Sequence, residues 1–280
     1  MSSVNNKRKN NHQNKINKEQ NSKNNNIPNK NKIQSQPSSS TSNLLRTFNK
    51  FTIGLNSREI HNISFYNHDK VCFILINTYE NENQDLGIGP LNDGFHIGLY
   101  HHRLDYKVYY LYNPPSDKFI KFFEFFLQNT TKALTVFFAG HDSANSSIHE
   151  IEFTNGKLSS NIIKKAISEK CNGKAKVLLI SDSYNGGSVF DLQSISYNNN
   201  QHSNDIISFW VKKNINGTES KEMKKSHGIF IYYFCKIIGD SPKISPNELV
   251  TKINPSISNF NECFKYDATN QKLADEPLFS

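Results

Sequence analysis

Two short apolar segments, each followed by small polar residues, constrain the fold of this chain more than any other feature. The first is Leu134–Ala139, which leads into His141 and Asp142, and the second is Lys176–Ser181, which leads into the turn Asp182–Gly187. Short runs that are rich in β-branched and aromatic residues predict buried strands of a parallel sheet. Because ligand sites of open α/β sheets form after the carboxyl ends of such strands, we expect His141 and the 182–187 turn to face each other.

Strand and helix patterns alternate along much of the remaining chain. Further strands are predicted at Val71–Thr78, Lys107–Tyr112 and Asp205–Val211, and helices are predicted after Pro115, at Ser159–Glu169, at 227–238 and from Ser245 onward. The segment Ile148–Phe153 alternates and then turns at Asn155-Gly156, which predicts a small edge hairpin. The alternation predicts an α/β fold in which helices cover both faces of a mostly parallel central sheet.

The first part of the chain differs sharply in composition. Residues 1–43 consist mainly of Asn, Lys, Ser and Gln, so they lack the apolar surface that would offset the entropy of ordering, and we predict a disordered tail. Lys7-Arg8-Lys9 is compatible with a nuclear-import or polyanion-binding patch, although a merely solvated tail is the favoured interpretation. Residues 44–65 form a transitional arm, and residues 66–280 form the predicted folded domain.

Charge and cysteine content exclude several classes of function. The net charge is +8, but residues 1–43 hold eight basic residues and one acid, so the predicted domain is nearly neutral and nucleic acid is an unlikely partner. The four cysteines are widely spaced and show neither a zinc motif nor a disulfide framework. No segment is apolar enough for a membrane span or a signal peptide, so we expect a cytoplasmic protein.

The two strand-end motifs resemble the catalytic pattern of caspases and metacaspases. In that family, one strand ends in Gly-His-Gly and a later strand ends in Asp-x-Cys-x-x-Gly. Gly140-His141 is similar to the first motif, and Asp182-Ser-Tyr184-Asn-Gly-Gly187 is similar to the second. The spacing of the motifs is close to the ~50 residues between the family's His and Cys. The resemblance covers residues 66–280 and implies a caspase-like three-layer α/β/α sandwich, in which the segment 273–279 resembles the closing strand.

The resemblance also implies roles for two acids. Asn92-Asp93-Gly94 looks like the metacaspase segment whose Asp helps to bind a basic P1 side chain, and Asp182 is similar to a second acid of that pocket. Each acid also has a purely structural interpretation. Asp93 suits the first turn of a helix, where acids favour the dipole, and Asp182 suits a loop residue that accepts hydrogen bonds within its own turn.

Three departures from the family pattern fall on the expected catalytic residues. Tyr184 occupies the position of the nucleophilic Cys, while His141 keeps the general-base position. Asp142 replaces the second Gly of the first motif and brings a carboxylate into the oxyanion region, where it would oppose the developing negative charge. Asn185 replaces the residue that commonly follows the nucleophile. Together these changes predict loss of the usual cysteine-type endopeptidase activity.

We therefore expect a catalytically silent caspase-like protein that binds a peptide or protein, for which an active caspase-like relative is one candidate. An enzyme with an altered nucleophile and a nucleic-acid binder that uses the tail are the alternatives. We predict no cofactor and no metal, because few acids lie near the motifs and a hard cation needs several converging oxygen ligands. The polar loop after Asp191 corresponds to the caspase inter-subunit cleavage loop or is an ordinary surface loop.

Overall fold

The computed structural model describes residues 39–80, 85–145, 148–183, 189–190, 192, 205–213, 228–260 and 262–279. Its helices are α1 (Ser39–Phe48), α2 (Gly89–Arg103), α3 (Ser116–Asn129), α4 (Ser160–Lys170), α5 (Ile229–Asp240) and α6 (Pro246–Ile257). Its strands are β1 (Ile53–Gly54), β2 (Lys70–Ile76), β3 (Lys107–Tyr112), β4 (Ala133–Gly140), β5 (Asp142–Asn145), β6 (Ile148–Phe153), β7 (Gly156–Ser159), β8 (Lys176–Ser183), β9 (Ile206–Lys213) and β10 (Glu262–Ala268). Short 3₁₀ turns lie at Ile60–Asn62, Ser258–Phe260 and Gln271–Ala274.

Seven strands form the central sheet in the order β1-β3-β2-β4-β8-β9-β10. All neighbouring pairs are parallel except β9 and β10, which are antiparallel. The predicted mostly parallel sheet with helices on both faces is confirmed. The hairpin between the two motifs belongs to a separate antiparallel sheet, β5-β6-β7, rather than to the edge of the central sheet.

Strand β2 shows why the sheet needs a layer on each face. Val71, Phe73 and Leu75 pack with α3, α4 and the small sheet, whereas the alternate residues Cys72, Ile74 and Ile76 pack with α1, α2, α5 and α6. All six side chains are fully buried. A strand that is apolar on both faces is stable only between two covering layers, which is the three-layer arrangement.

Helix α2 packs unusually close to the sheet because two glycines face it. A Cβ atom on Gly94 would lie 2.8 Å from Cδ1 of Ile76, and a Cβ atom on Gly98 would lie 2.8 Å from Cε2 of Phe48. Both neighbouring side chains are fully buried, so neither has space to yield. The two glycines, one helical turn apart, therefore set the depth at which α2 lies against β2 and α1.

The two ends of the described chain differ from the sequence-based expectation. Helix α1 begins at Ser39, so the predicted boundary at residue 44 falls inside a helix whose Phe48 is fully buried. The resemblance to a closing strand at 273–279 is wrong, because this segment starts with a 3₁₀ turn and the edge strand is β10. The amide of Leu278 instead donates a hydrogen bond to the carbonyl of Ile244, 2.9 Å away.

Candidate functional site

The predicted site residues lie at the carboxyl ends of β4 and β8. These two strands are adjacent and parallel, and their register pairs Ala139 with Asp182 and Gly140 with Ser183. His141 follows β4 directly, and Asp182 is the penultimate residue of β8. Tyr184, Asn185 and the loop residues 193–204 lie outside the described residues, so the expected approach of His141 and Tyr184 stays a prediction.

Asp93 and Asp182 converge on the start of α5. The amide of Gly228, which precedes the first residue of α5, donates to both carboxylate oxygens of Asp93 at 2.9 Å. A Cβ atom built on Gly228 would overlap the carboxylate of Asp182 and would lie 3.1 Å from Oδ2 of Asp93. Both carboxylates therefore reach one glycine, and only a residue without a side chain fits between them.

The electrostatics of this pair are dominated by burial. Asp93 is only 4% exposed, and burial, reinforced by the negative charge of Asp182, raises its pKa well above the usual range, although the Gly228 amide opposes the shift. The raised pKa favours the neutral form of Asp93 beside Asp182. We call Asp93 and Asp182 the acid pair.

The alternative interpretation of Asp93 as a first-turn residue of its helix is wrong. Helix α2 begins at Gly89, with Pro90 in its first turn, and no acid lies in that turn. Asp93 is the fifth helical residue, and the buried side of α2 directs it towards α5. Its hydrogen bonds go to Gly228, which is distant in sequence, and not to its own helix terminus.

Tyr79 holds the backbone of His141 in place, a role that the sequence did not indicate. Its hydroxyl accepts a hydrogen bond from the His141 amide at 2.9 Å and donates to the carbonyl of Glu152 at 2.8 Å. The two rings lie 4.9 Å apart between centroids, tilted by 31°. Tyr79 has a left-handed backbone with φ of 56°, which is uncommon outside glycine. The sequence signal that could have indicated this role is an aromatic residue shortly after the carboxyl end of β2.

Asp142 is fully buried at the start of β5. The pKa of Tyr79 is raised above its usual value, chiefly by burial and then by the charges of Glu152 and Asp142. Asp142 therefore acts electrostatically on the Tyr79 hydroxyl. The predicted location of Asp142 in the oxyanion region stays a prediction, since the facing residues 184 and 185 are not described.

The thiols of Cys72, Cys171 and Cys235 lack the properties of a nucleophile. Cys72 lies inside β2 and Cys235 inside α5, and burial raises the pKa of both thiols. Cys171 follows α4 at the amino end of β8, where burial raises its pKa to about 12. Cys263 lies on β10, three strands away from β4. A reactive cysteine needs a lowered pKa.

Within the ranges that the structure covers, no three His, Cys, Asp or Glu side chains are grouped as metal ligands. No described helix is long and apolar enough to cross a membrane.

Comparison with solved structures places this architecture among known folds. The Drosophila initiator caspase Dronc aligns with a TM-score of 0.57 and 15% identity, over 76% of this chain and 84% of that one. The fold is caspase-like. Caspase-1 from Spodoptera frugiperda aligns with a TM-score of 0.53 and 13% identity, over 71% of this chain and 87% of that one.

Another similar structure is a Geobacter sulfurreducens protein solved by structural genomics. It aligns with a TM-score of 0.54 and 10% identity, over 76% of this chain and 98% of that one. No protein-family model matches the chain, and no curated protein matches it by sequence. The fold is therefore shared with proteins that are only 10–15% identical to this chain in sequence.

Proposed function

We propose that this protein is a catalytically silent caspase-like protein that binds a basic side chain of a peptide or protein partner. The observation that carries the proposal is the convergence of Asp93 and Asp182 on Gly228. The resemblance of both motifs to the caspase and metacaspase pattern supports it, as does the caspase-like fold.

The acid pair favours a cationic ligand on physical grounds. Burial of Asp93 opposes its negative charge, and repulsion from Asp182 adds to this cost, which is why the pKa of Asp93 is raised. A guanidinium or ammonium group placed beside these carboxylates would offset both costs. Arg can also donate two parallel hydrogen bonds to a carboxylate. An Arg side chain is therefore the preferred ligand, followed by Lys.

The absence of chemistry follows from Tyr184 in the nucleophile position. A phenol with a pKa of about 10 is ionised to roughly 0.1% at pH 7, and at the nucleophile position its ring would occupy space that a scissile carbonyl needs. The raised pKa values of Cys72, Cys171 and Cys235 argue against a substitute thiolate from these residues. The partner would thus be bound and not cut, and an active caspase-like relative with an exposed Arg or Lys is one such partner.

Binding and turnover can be measured on the same peptides. Fluorescent peptides that carry Arg, Lys or citrulline at one position are titrated against the purified protein, and their cleavage is followed by mass spectrometry. We expect the Arg peptide to bind at least tenfold more tightly than the citrulline peptide, which matches its shape without its charge, and to remain intact. Equal affinities for Arg and citrulline peptides would overturn the acid-pair ligand.

Turnover by the wild-type protein decides between silence and an altered nucleophile. Cleavage of the Arg peptide that disappears in His141→Ala would show that the site is active and that the silent interpretation is wrong. The double variant Tyr184→Cys with Asp142→Gly restores a thiol and removes a carboxylate, so weak cleavage after basic residues is the expected gain.

A further inference from the structure

A cleft lies beside the amino ends of the central strands, at the opposite end of the strands from the acid pair. This cleft of about 650 Å³ opens between the turn after α1, the end of α2 and the residues that begin β2 and β3. Sites for small molecules typically have volumes of about 300–1,000 Å³. We call it the amino-end cleft, because the parallel strands β2, β3 and β4 begin beside it.

Basic side chains outnumber acidic ones around this cleft. The charged lining residues are Lys50, Lys70, Lys107, Lys132, Asp69 and Asp105. One of the two acids is already neutralised: Asp69 lies 2.8 Å from Nζ of Lys132 and accepts a hydrogen bond from Thr131 at 2.5 Å. These contacts, with that from Lys132 the largest, lower the pKa of Asp69 to about 2. A net positive charge remains for a ligand to meet.

Lys107 is a positioned cation. Its Nζ lies 4.4 Å from the ring centroid of Tyr66, within the range of a cation–π contact. It forms no ion pair with any described residue, and its charge contributes, after burial, to the lowered pKa of His68 nearby. An aromatic ring orients this ammonium group without cancelling its charge, so the group is available to an anion.

The cleft also has an aromatic wall. The rings of Phe51 and His102 lie 5.4 Å apart between centroids and are inclined by 32°. Both residues line the cleft, together with Tyr106. A flat, partly apolar surface beside fixed cations suits a ligand that combines a planar ring with negatively charged groups.

We propose that the amino-end cleft binds a small phosphorylated molecule with an aromatic ring, that is, a ligand of the nucleotide class. Its phosphates would contact Lys50 and Lys107, and its ring would lie against the wall formed by Phe51 and His102. This site is independent of the acid pair, because it lies at the other end of the strands and has the opposite charge.

The test is titration of the full-length protein with ATP and, separately, with inorganic tripolyphosphate by calorimetry at 150 mM salt, without added metal. Wild type is compared with Lys50→Gln and Lys107→Gln and with the control Lys243→Gln, an exposed lysine between α5 and α6 that does not line the cleft. All four proteins carry the same basic residues before α1, so binding to that segment contributes equally to each. Melting temperatures of all four check that the fold is intact.

We expect ATP to bind wild type more tightly than tripolyphosphate does. Lys50→Gln and Lys107→Gln should weaken ATP binding at least tenfold, and Lys243→Gln should change it less than twofold. Lys50 is exposed in a turn, so its variant decides the question even if Lys107→Gln, which loses the contact with Tyr66, does not fold. Absence of ATP binding, equal weakening by the control, or tripolyphosphate affinity equal to that of ATP would overturn the proposal.

Discussion

The pKa values of two aspartates, which lie at opposite ends of the same sheet, are shifted in opposite directions. At the carboxyl ends of the strands, burial and a neighbouring acid raise the pKa of Asp93 well above its usual range. At the amino ends, Lys132 and Thr131 lower the pKa of the partly exposed Asp69 to about 2. The difference shows that position, and not residue type, decides whether the pKa of an aspartate is raised or lowered.

Helix α2 connects the two ends. Asp93 lies near its beginning, and His101 and His102 lie in its last turn. A helix of this length spans roughly 22 Å. Substitutions along α2 and in its neighbours can therefore test the two ends separately.

The largest effect is expected at low pH, where protonation of His101 should destabilise the folded protein. This ring is fully buried, with Nδ1 2.8 Å from the Ile97 carbonyl and Nε2 2.9 Å from the Thr135 hydroxyl, so the neutral form donates from Nδ1 and accepts at Nε2. Burial lowers its pKa from 6.5 to about 4. Stability is then complete above pH 6.5 and falls as the pH drops towards 4, by roughly 3 kcal/mol in the free energy of unfolding.

Urea unfolding between pH 4 and 7 measures this loss. The acid pair acts with the opposite sign, because a raised pKa of Asp93 gives stability that is lost as the pH rises from about 4. The Asp93→Asn background removes that opposing contribution, so the slope should become steeper there. In His101→Gln, which cannot be protonated, the slope should become flatter, and an unchanged slope would contradict the assignment to His101.

Gly228→Ala should damage the carboxyl-end site most. The new methyl group would overlap the carboxylate of Asp182, so one of the two must move. We expect a loss of about 1–3 kcal/mol in the free energy of unfolding and no detectable binding of the Arg peptide. Gly239→Ala in the same helix is the matched control, because a Cβ atom there has no neighbour within 4 Å; it should stabilise the helix by up to about 1 kcal/mol.

Asp93→Asn should separate stability from binding. The amide oxygen can still accept the Gly228 hydrogen bond, and the repulsion with Asp182 disappears, so the melting temperature at pH 7 should not fall. Arg-peptide binding should weaken about tenfold, which corresponds to about 1.4 kcal/mol. Asp240→Asn, at the exposed other end of α5, is the control. A variant that binds as tightly as wild type would remove Asp93 from the ligand site.

The smallest effect is expected for truncation. Removing residues 1–38 eliminates a basic, polar segment, and the melting temperature should stay unchanged. Removing residues up to Asn43 also deletes half of α1, including the buried Thr41, and should lower the melting temperature. If the shorter truncation already lowers it, the assignment of this segment as dispensable is wrong. Neither truncation should alter the difference between wild type and Lys50→Gln in ATP binding.

Local pattern was enough to predict the sheet but not its last strand. β4 and β8 are continuous apolar runs, so their burial and parallel pairing follow from composition. β10 reads Glu262-Cys-Phe-Lys-Tyr-Asp-Ala268, an edge strand of mixed polarity in which only Phe264 is buried, so it has no clear strand signal. The helix start at Ser245, by contrast, was predicted from the sequence, and Ser245 and Glu248 form a capping box there.

The site residues that lie at strand ends could be predicted from the sequence. His141 and Asp182 follow apolar runs, so their location at one edge of the sheet could be expected. The contact of Asp93 with Gly228 joins residues far apart in sequence, and nothing local to either one indicates it. The amino-end cleft draws on four separate segments, and its lysines are individually ordinary, so only the folded chain brings them together.

The close approach of α2 to β2 has a consequence for how this protein can diverge. A side chain at Gly94 or Gly98 would collide with Ile76 or Phe48. We therefore expect these two glycines to be substituted less often during evolution than most of their neighbours. Similar folds share only 10–15% identity with this chain. The string Asp93-Gly94-x-x-x-Gly98 should therefore outlast most of the sequence, and it offers a pattern for finding distant relatives that overall identity no longer reveals.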